Sequence, residues 1–157
     1  MTDIEQLLTD LEQQAKEKIK GLPMPKKPAE LDDIVLPSEL ATLDDNKVDD
    51  LFNQFTAVVQ YMHFCEELFE SELEIAQYKK QLEMDIKISQ ATEERKDIMM
   101  AKIANDENLK RWDEVISTLK IKCRLSKGLL RGYKVAIKRI QSETISRASL
   151  RRHGILG

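Results

Sequence analysis

The sequence predicts an all-α protein: two long helices in an antiparallel, coiled-coil-like hairpin with a short connector helix, plus a tethered N-terminal amphipathic helix. Three observations carry that prediction. The 157 residues hold only 5 Gly and 4 Pro, so most of the chain has no helix breaker. The charged fraction is 34% against a hydrophobic fraction of 41%, the mix of helices that bury one seam and leave the rest wet. Apolar residues recur at spacings of three and four over long stretches, the period of one helical face.

Taken in order, Thr2 opens a Ser/Thr-x-x-Glu capping box closed by Glu5. Ile4, Leu7, Leu8, Leu11 and Ala15 follow at helical spacing, and the helix is expected to end near Lys20-Gly21, where glycine supplies a C-terminal cap. Pro23, Pro25, Pro28 and Pro37 then hold residues 22–43 in extended geometry, a linker and not a core element. Residues 1–21 accordingly read as an amphipathic helix on a semi-rigid leash, with few contacts to the rest. Residues 44–152 read as the helical hairpin domain for oligomerisation and nucleic-acid binding, and residues 153–157 as a tail.

Asp44 or Asp45 caps the second helix, which runs to about Ser89. Val48, Leu51, Phe55, Val58, Met62, Cys65 and Phe69 alternate by three and four, a heptad seam. Beyond Phe69 the row passes to Leu68, Ile75 and Leu82, a stutter at which a supercoil locally unwinds. Thr92, followed by Glu93 and Glu94, reads as a fresh N-cap with acids in its first turn. It opens a short helix with Ile98, Met99 and Ile103 that breaks at Asn105-Asp106.

The last helix starts at Asp106 and holds the most regular row. Leu109, Trp112, Ile116, Leu119, Cys123, Ser126, Leu130, Tyr133, Ile137, Ile140 and Thr144 step by three and four throughout. Two helices of about 45 residues each extend roughly 65 Å, and a short connector folds them back antiparallel. Two helices make a thin core, and Phe52, Phe64, Leu129 and Val135 add apolar surface outside the seams. Self-association into a homo-oligomer is therefore expected.

No run of 18 apolar residues occurs, so no membrane contact is expected, and the acidic start Met1-Thr2-Asp3-Ile4-Glu5 lacks an apolar signal region. Cys65 and Cys123 are too few for a disulfide framework and fall on seam positions as small hydrophobes, roughly 12 Å apart along the hairpin. These features favour a cytoplasmic protein. His63 and His153 have no partner at metal-ligand spacing. The sequence has no phosphate-binding loop, no paired catalytic carboxylates and no Ser/His/Asp arrangement. Neither an enzyme nor a cofactor is expected.

The charge changes sign along the chain. Residues 1–104 carry 12 Lys+Arg against 23 Asp+Glu, whereas residues 105–157 carry 13 against 5. Lys120, Arg124, Lys127, Arg131, Lys134 and Lys138 recur at alternating intervals of four and three, which at about 100° per residue stacks them on one helical face. Such a row repels itself unless a polyanion or an acidic partner neutralises it. Pairing across the hairpin with Glu66, Glu70 and Glu74 absorbs part of it. The 11 cations from Lys120 to Arg152, with the single acid Glu143 among them, exceed what such pairing can neutralise. The stripe, with Arg139, Arg147, Arg151 and Arg152, is therefore expected to bind nucleic acid. Tyr133 is the one aromatic in this stretch and sits on the seam, so contacts to backbone phosphates, sensitive to salt and indifferent to base sequence, are expected. Gly128 and Gly132 each cost about 1 kcal/mol relative to Ala inside a helix. Close approach of a second backbone, close approach of phosphates, or a soft spot would each account for them.

The run Ala136-Ile137-Lys138-Arg139-Ile140-Gln141, preceded by Gly132, and the opening Ala104-Asn105-Asp106-Glu107-Asn108-Leu109 resemble the UvsY family of bacteriophage recombination mediators, over about residues 46–145. The resemblance implies a ring-like homo-oligomer that organises single-stranded DNA in the host cell cytoplasm. It also implies help for a RecA-like recombinase in displacing a single-strand-binding protein. The family's DNA contacts lie largely in a basic segment late in the first long helix. Here that region offers only Lys79, Lys80 and Lys87 amid acidic neighbours, so the expected DNA path moves to the C-terminal helix. The alternative expectation is a helical structural or scaffold protein, a virion component or an inhibitor of a host protein, whose basic helix meets an acidic partner.

Overall fold

Four α-helices and one 3-10 turn make up the secondary structure, with no strand among the described residues. The computed structural model describes residues 2–21, 24–29, 31–91 and 95–155. Helix α1 spans Asp3–Lys18, α2 spans Asp45–Gln90, α3 spans Lys96–Ala104 and α4 spans Glu107–Arg152, with the 3-10 turn at Leu40–Thr42.

The helix ends follow from side chains that satisfy otherwise orphaned backbone groups. The Thr2 hydroxyl accepts from the Glu5 N–H at 3.3 Å, and the Glu5 carboxylate accepts from the Thr2 N–H at 2.7 Å. Gly21, with φ at +102°, turns the chain beyond α1. Asp44 accepts from the Lys47 N–H at 2.9 Å and starts α2, and Asp106 accepts from the Leu109 N–H at 3.0 Å and starts α4. The expected cap at Thr92 lies outside the described residues.

Two compact units divide the chain, Met1–Leu22 with Glu66–Leu125 and Pro23–Cys65 with Ser126–Gly157. In the first unit the late part of α2 and the early part of α4 run antiparallel, tied by the ion pairs Lys80–Asp113 and Lys87–Asp106. Leu68, Ile75 and Ala76 of α2 are buried, as are Leu109, Trp112, Val115, Ile116, Leu119 and Cys123 of α4. Helix α1 adds Leu11 and Ala15, both 0% exposed, and its Asp3 pairs with Arg111 at 3.2 Å.

In the second unit the early part of α2 and the late part of α4 run antiparallel. Leu40, Val48, Phe55, Ala136 and Ile140 form one buried cluster, against which Ile34, Leu36, Leu43, Phe52 and Tyr133 pack. Val58, Met62 and Leu130 form another, with Leu31, Ile34 and Tyr61 against it. The Phe55 and Tyr133 rings lie 6.2 Å apart and tilted by 57°.

Three expectations are corrected. The N-terminal helix is not a separate module on a leash, because Leu11 and Ala15 are completely buried in the first unit. The segment 22–43 is not a solvated linker, because Leu31, Ile34, Leu36, Leu40 and Leu43 pack on the second unit's core. Prolines fix φ without removing the side chains between them, and a two-helix seam leaves apolar surface that these residues cover. Within each unit a stretch of α2 packs on a stretch of α4, as the helical hairpin expected over residues 44–152 requires. Leu82, expected to continue the α2 row, is 48% exposed. Among the described residues no helix is long and apolar enough to cross a membrane.

Truncating Leu11 tests the docking of α1. Leu11→Ala should lower the unfolding free energy in urea by about 2–4 kcal/mol, the usual loss for a fully buried leucine. A loss below about 1 kcal/mol would mean that α1 is not part of the core.

Candidate nucleic-acid interface

The row expected on the last helix forms the buried side of α4. Leu109, Trp112, Ile116, Leu119, Cys123, Ser126, Leu130 and Ile140 are buried, Tyr133 and Ile137 are half-buried, and only the terminal Thr144 is exposed. With that side committed to packing, the cations between these residues must point elsewhere.

The structure sorts the ten expected contact residues by what they touch. In the first unit, Lys120 and Arg124 are exposed and make no ion pair among the described residues. In the second unit, Arg131, Lys134, Lys138 and Arg152 are likewise exposed without such a pair. Lys127 is half-buried and already engaged within the chain. Arg139 donates to the Ser38 carbonyl, and Arg151 pairs with Asp45.

Arg147 is the most occupied of the ten. Its Nε donates to Glu143 at 2.7 Å, Nη1 to Asp45 at 2.8 Å, and Nη2 to the carbonyls of Leu40 at 2.9 Å and Leu43 at 2.7 Å. The side chain is 13% exposed. The planar guanidinium thus ties the 3-10 turn and the start of α2 to α4 through one fork of donors. Glu143 and then Asp45 raise its pKa further, and the Arg147 hydrogen bond leads the lowering of the Asp45 carboxyl. Arg147 is therefore a structural clamp. The sequence carried a signal for this: Arg147 stands three residues after Thr144, so it continues the seam row.

Other features narrow the interface. Tyr133 is packed against Phe55, so it offers no platform for a base. A Cβ built at Gly128 or Gly132 would meet nothing within 4 Å, so no close approach within the chain requires either glycine. Beside them Leu129 and Val135 are 54% and 65% exposed. Of the lysines late in α2, Lys80 and Lys87 are held by Asp113 and Asp106. Comparisons with protein-family models, with curated proteins and with solved structures give no match.

One charged group escaped the sequence reading. Glu72 of α2 is 2% exposed in the first unit, and its Oε1 has no hydrogen-bond partner. Burial pushes its pKa up to about 7; Lys122 pulls it down, Glu12 pushes it up and Lys16 pulls it down. Glu72 sits four residues after Leu68 and three before Ile75, both buried, so its spacing alone placed it on the packed face.

Two outcomes follow. Arg147→Gln should lower stability by about 2–4 kcal/mol, because Glu143 and two carbonyls lose their donor and Asp45 keeps only Arg151, while the folded protein's affinity for an oligonucleotide should stay at the parent's value. A folded carboxyl with a pKa raised from 4.5 to about 7 binds a proton that the unfolded chain has released. Its contribution is therefore largest below pH 4.5 and is lost as pH rises to about 7. Glu72→Gln should flatten that decline, on the order of 2 kcal/mol, in denaturant titrations at pH 5 and pH 8. A decline identical to the parent's would contradict this role for Glu72.

Proposed function

We propose that the protein is a homo-oligomeric, single-stranded-DNA-binding recombination mediator. It grips the phosphate backbone on the outer side of α4 and helps load a RecA-like recombinase onto DNA covered by single-strand-binding protein. The observation that carries the binding step is Arg131, Lys134 and Lys138. They are exposed at intervals of three and four without an ion pair among the described residues, whereas Lys80, Lys87, Arg147 and Arg151 all have carboxylate partners. A row of cations one helical turn apart attracts a chain of phosphates and gains from the counterions it releases. The absence of an exposed aromatic from that row favours sequence-indifferent binding. The mediator role is supported by the resemblance of residues 104–109 and 136–141 to the UvsY family.

A second reading is a scaffold or inhibitor whose basic helix meets an acidic protein. The exposed Leu129 and Val135 beside the glycines favour it, since a partner helix would cover apolar side chains that phosphates would leave wet.

Replacing Arg131, Lys134 and Lys138 together by Gln keeps helix propensity and removes three charges. The variant should stay folded, bind oligothymidylate more weakly, and lose about 2 from the slope of log affinity against log salt, at about 0.7 per phosphate contact. If affinity and slope match the parent's, DNA does not use this row and the acidic-partner reading takes precedence.

A further inference from the structure

The first unit presents two outward strips of opposite charge, each with large apolar side chains. On α2, Glu67, Glu74, Tyr78, Leu82 and Asp85 fall within about 80° of arc at about 100° per residue. All five are exposed, Tyr78 by 68%. The three carboxylates make no ion pair among the described residues, and no cation lies within that arc. On α4, Lys120, Ile121, Arg124 and Leu125 are exposed together, Ile121 by 51% and Leu125 by 59%. A lone exposed leucine needs no explanation. Unpaired acids set among apolar side chains on one strip, and unpaired cations among apolar side chains on another, have matched chemistry.

The two strips cannot satisfy each other within one chain. The helices pack through Leu68, Ile75 and Ala76 on α2 and Leu109, Trp112, Val115, Ile116 and Leu119 on α4, and both strips lie on the exposed sides. Docking like on like also fails. An α2 strip against its own copy would set Glu67, Glu74 and Asp85 against carboxylates, and an α4 strip against its own copy would oppose Lys120 and Arg124 to cations. Each arrangement carries a like-charge penalty.

We propose that the α2 strip of one copy docks on the α4 strip of a second copy, with Tyr78 and Leu82 meeting Ile121 and Leu125 and with Glu74 and Asp85 pairing with Lys120 and Arg124. The contact is heterologous: every chain uses one face of each kind, and copies add head to tail into a closed ring or an open filament. This assignment rests on the self-association proposed above and adds to it which faces meet. It commits Lys120 and Arg124 to protein and leaves Arg131, Lys134 and Lys138 for the polyanion.

Two charge-reversed variants test the assignment, with circular dichroism to verify that each remains helical. Glu74→Lys with Asp85→Lys makes both strips basic, and Lys120→Glu with Arg124→Glu makes both acidic. In sedimentation velocity at micromolar concentration the parent should assemble, whereas each variant alone should sediment as single chains. An equimolar mixture, in which every contact again pairs opposite charges, should regain the parent's size. The variant carrying all four changes restores opposite charges in one chain and should assemble by itself. If the parent is assembled and either double variant stays assembled, or if the folded mixture remains monomeric, the strips are not the interface although self-association stands. A monomeric parent would overturn self-association itself.

Discussion

A helix can commit a row spaced by three and four to only one side, and α4 commits that side over most of its length, from Leu109 to Ile140. Much else follows from this constraint. Among the cations between seam residues, Lys120, Arg124, Arg131, Lys134 and Lys138 are exposed. Burial of Trp112, Val115, Ile116 and Leu119 in one unit, and of Leu130, Ala136 and Ile140 in the other, anchors the remaining elements. Helix α1 adds Leu11 and Ala15 in the first unit, and the segment around Leu40 covers the seam in the second.

The same constraint divides the basic residues into two populations with different work. Arg147 and Arg151 lie at the extension of the seam row, and at the largely buried Arg147 a cation without a partner would be costly. Both have found Asp45, and Arg147 adds Glu143 and two carbonyls. Arg131, Lys134 and Lys138 lie off the row and are exposed without an ion pair among the described residues. Glu72 is the converse case, an acid on the packed face of α2 whose raised pKa Lys122 and Lys16 partly offset.

Much of the helical architecture was legible along the chain, because capping and periodicity are local. Thr2 caps the helix it was expected to cap, Asp44 proves to be the cap of the two acids expected at α2, and Asp106 stands where the last helix was expected to start; even the polar Ser126 proved buried where its spacing put it. What stayed hidden depends on partners distant in sequence. Leu31, Ile34, Leu36 and Leu43 show neither helical nor strand periodicity, so their packing on α2 and α4 has no signature beyond apolar residues between prolines. Arg147 reaches Asp45 across a separation of 102 residues, and counting charge along one helix treats it like Lys134. Spacing relative to the seam, applied to charged as well as apolar residues, distinguishes the two. It would also have singled out Glu72.

The proposed division of α4 into a packed side and a phosphate-binding side is tested by acylating lysines with and without oligothymidylate and measuring each site by mass spectrometry. Lys134 and Lys138 should lose reactivity when the oligonucleotide is bound, while the exposed Lys26 and Lys96 keep theirs. Unchanged reactivity at Lys134 and Lys138 under saturating oligonucleotide would contradict the assignment of the outer side of α4 to DNA.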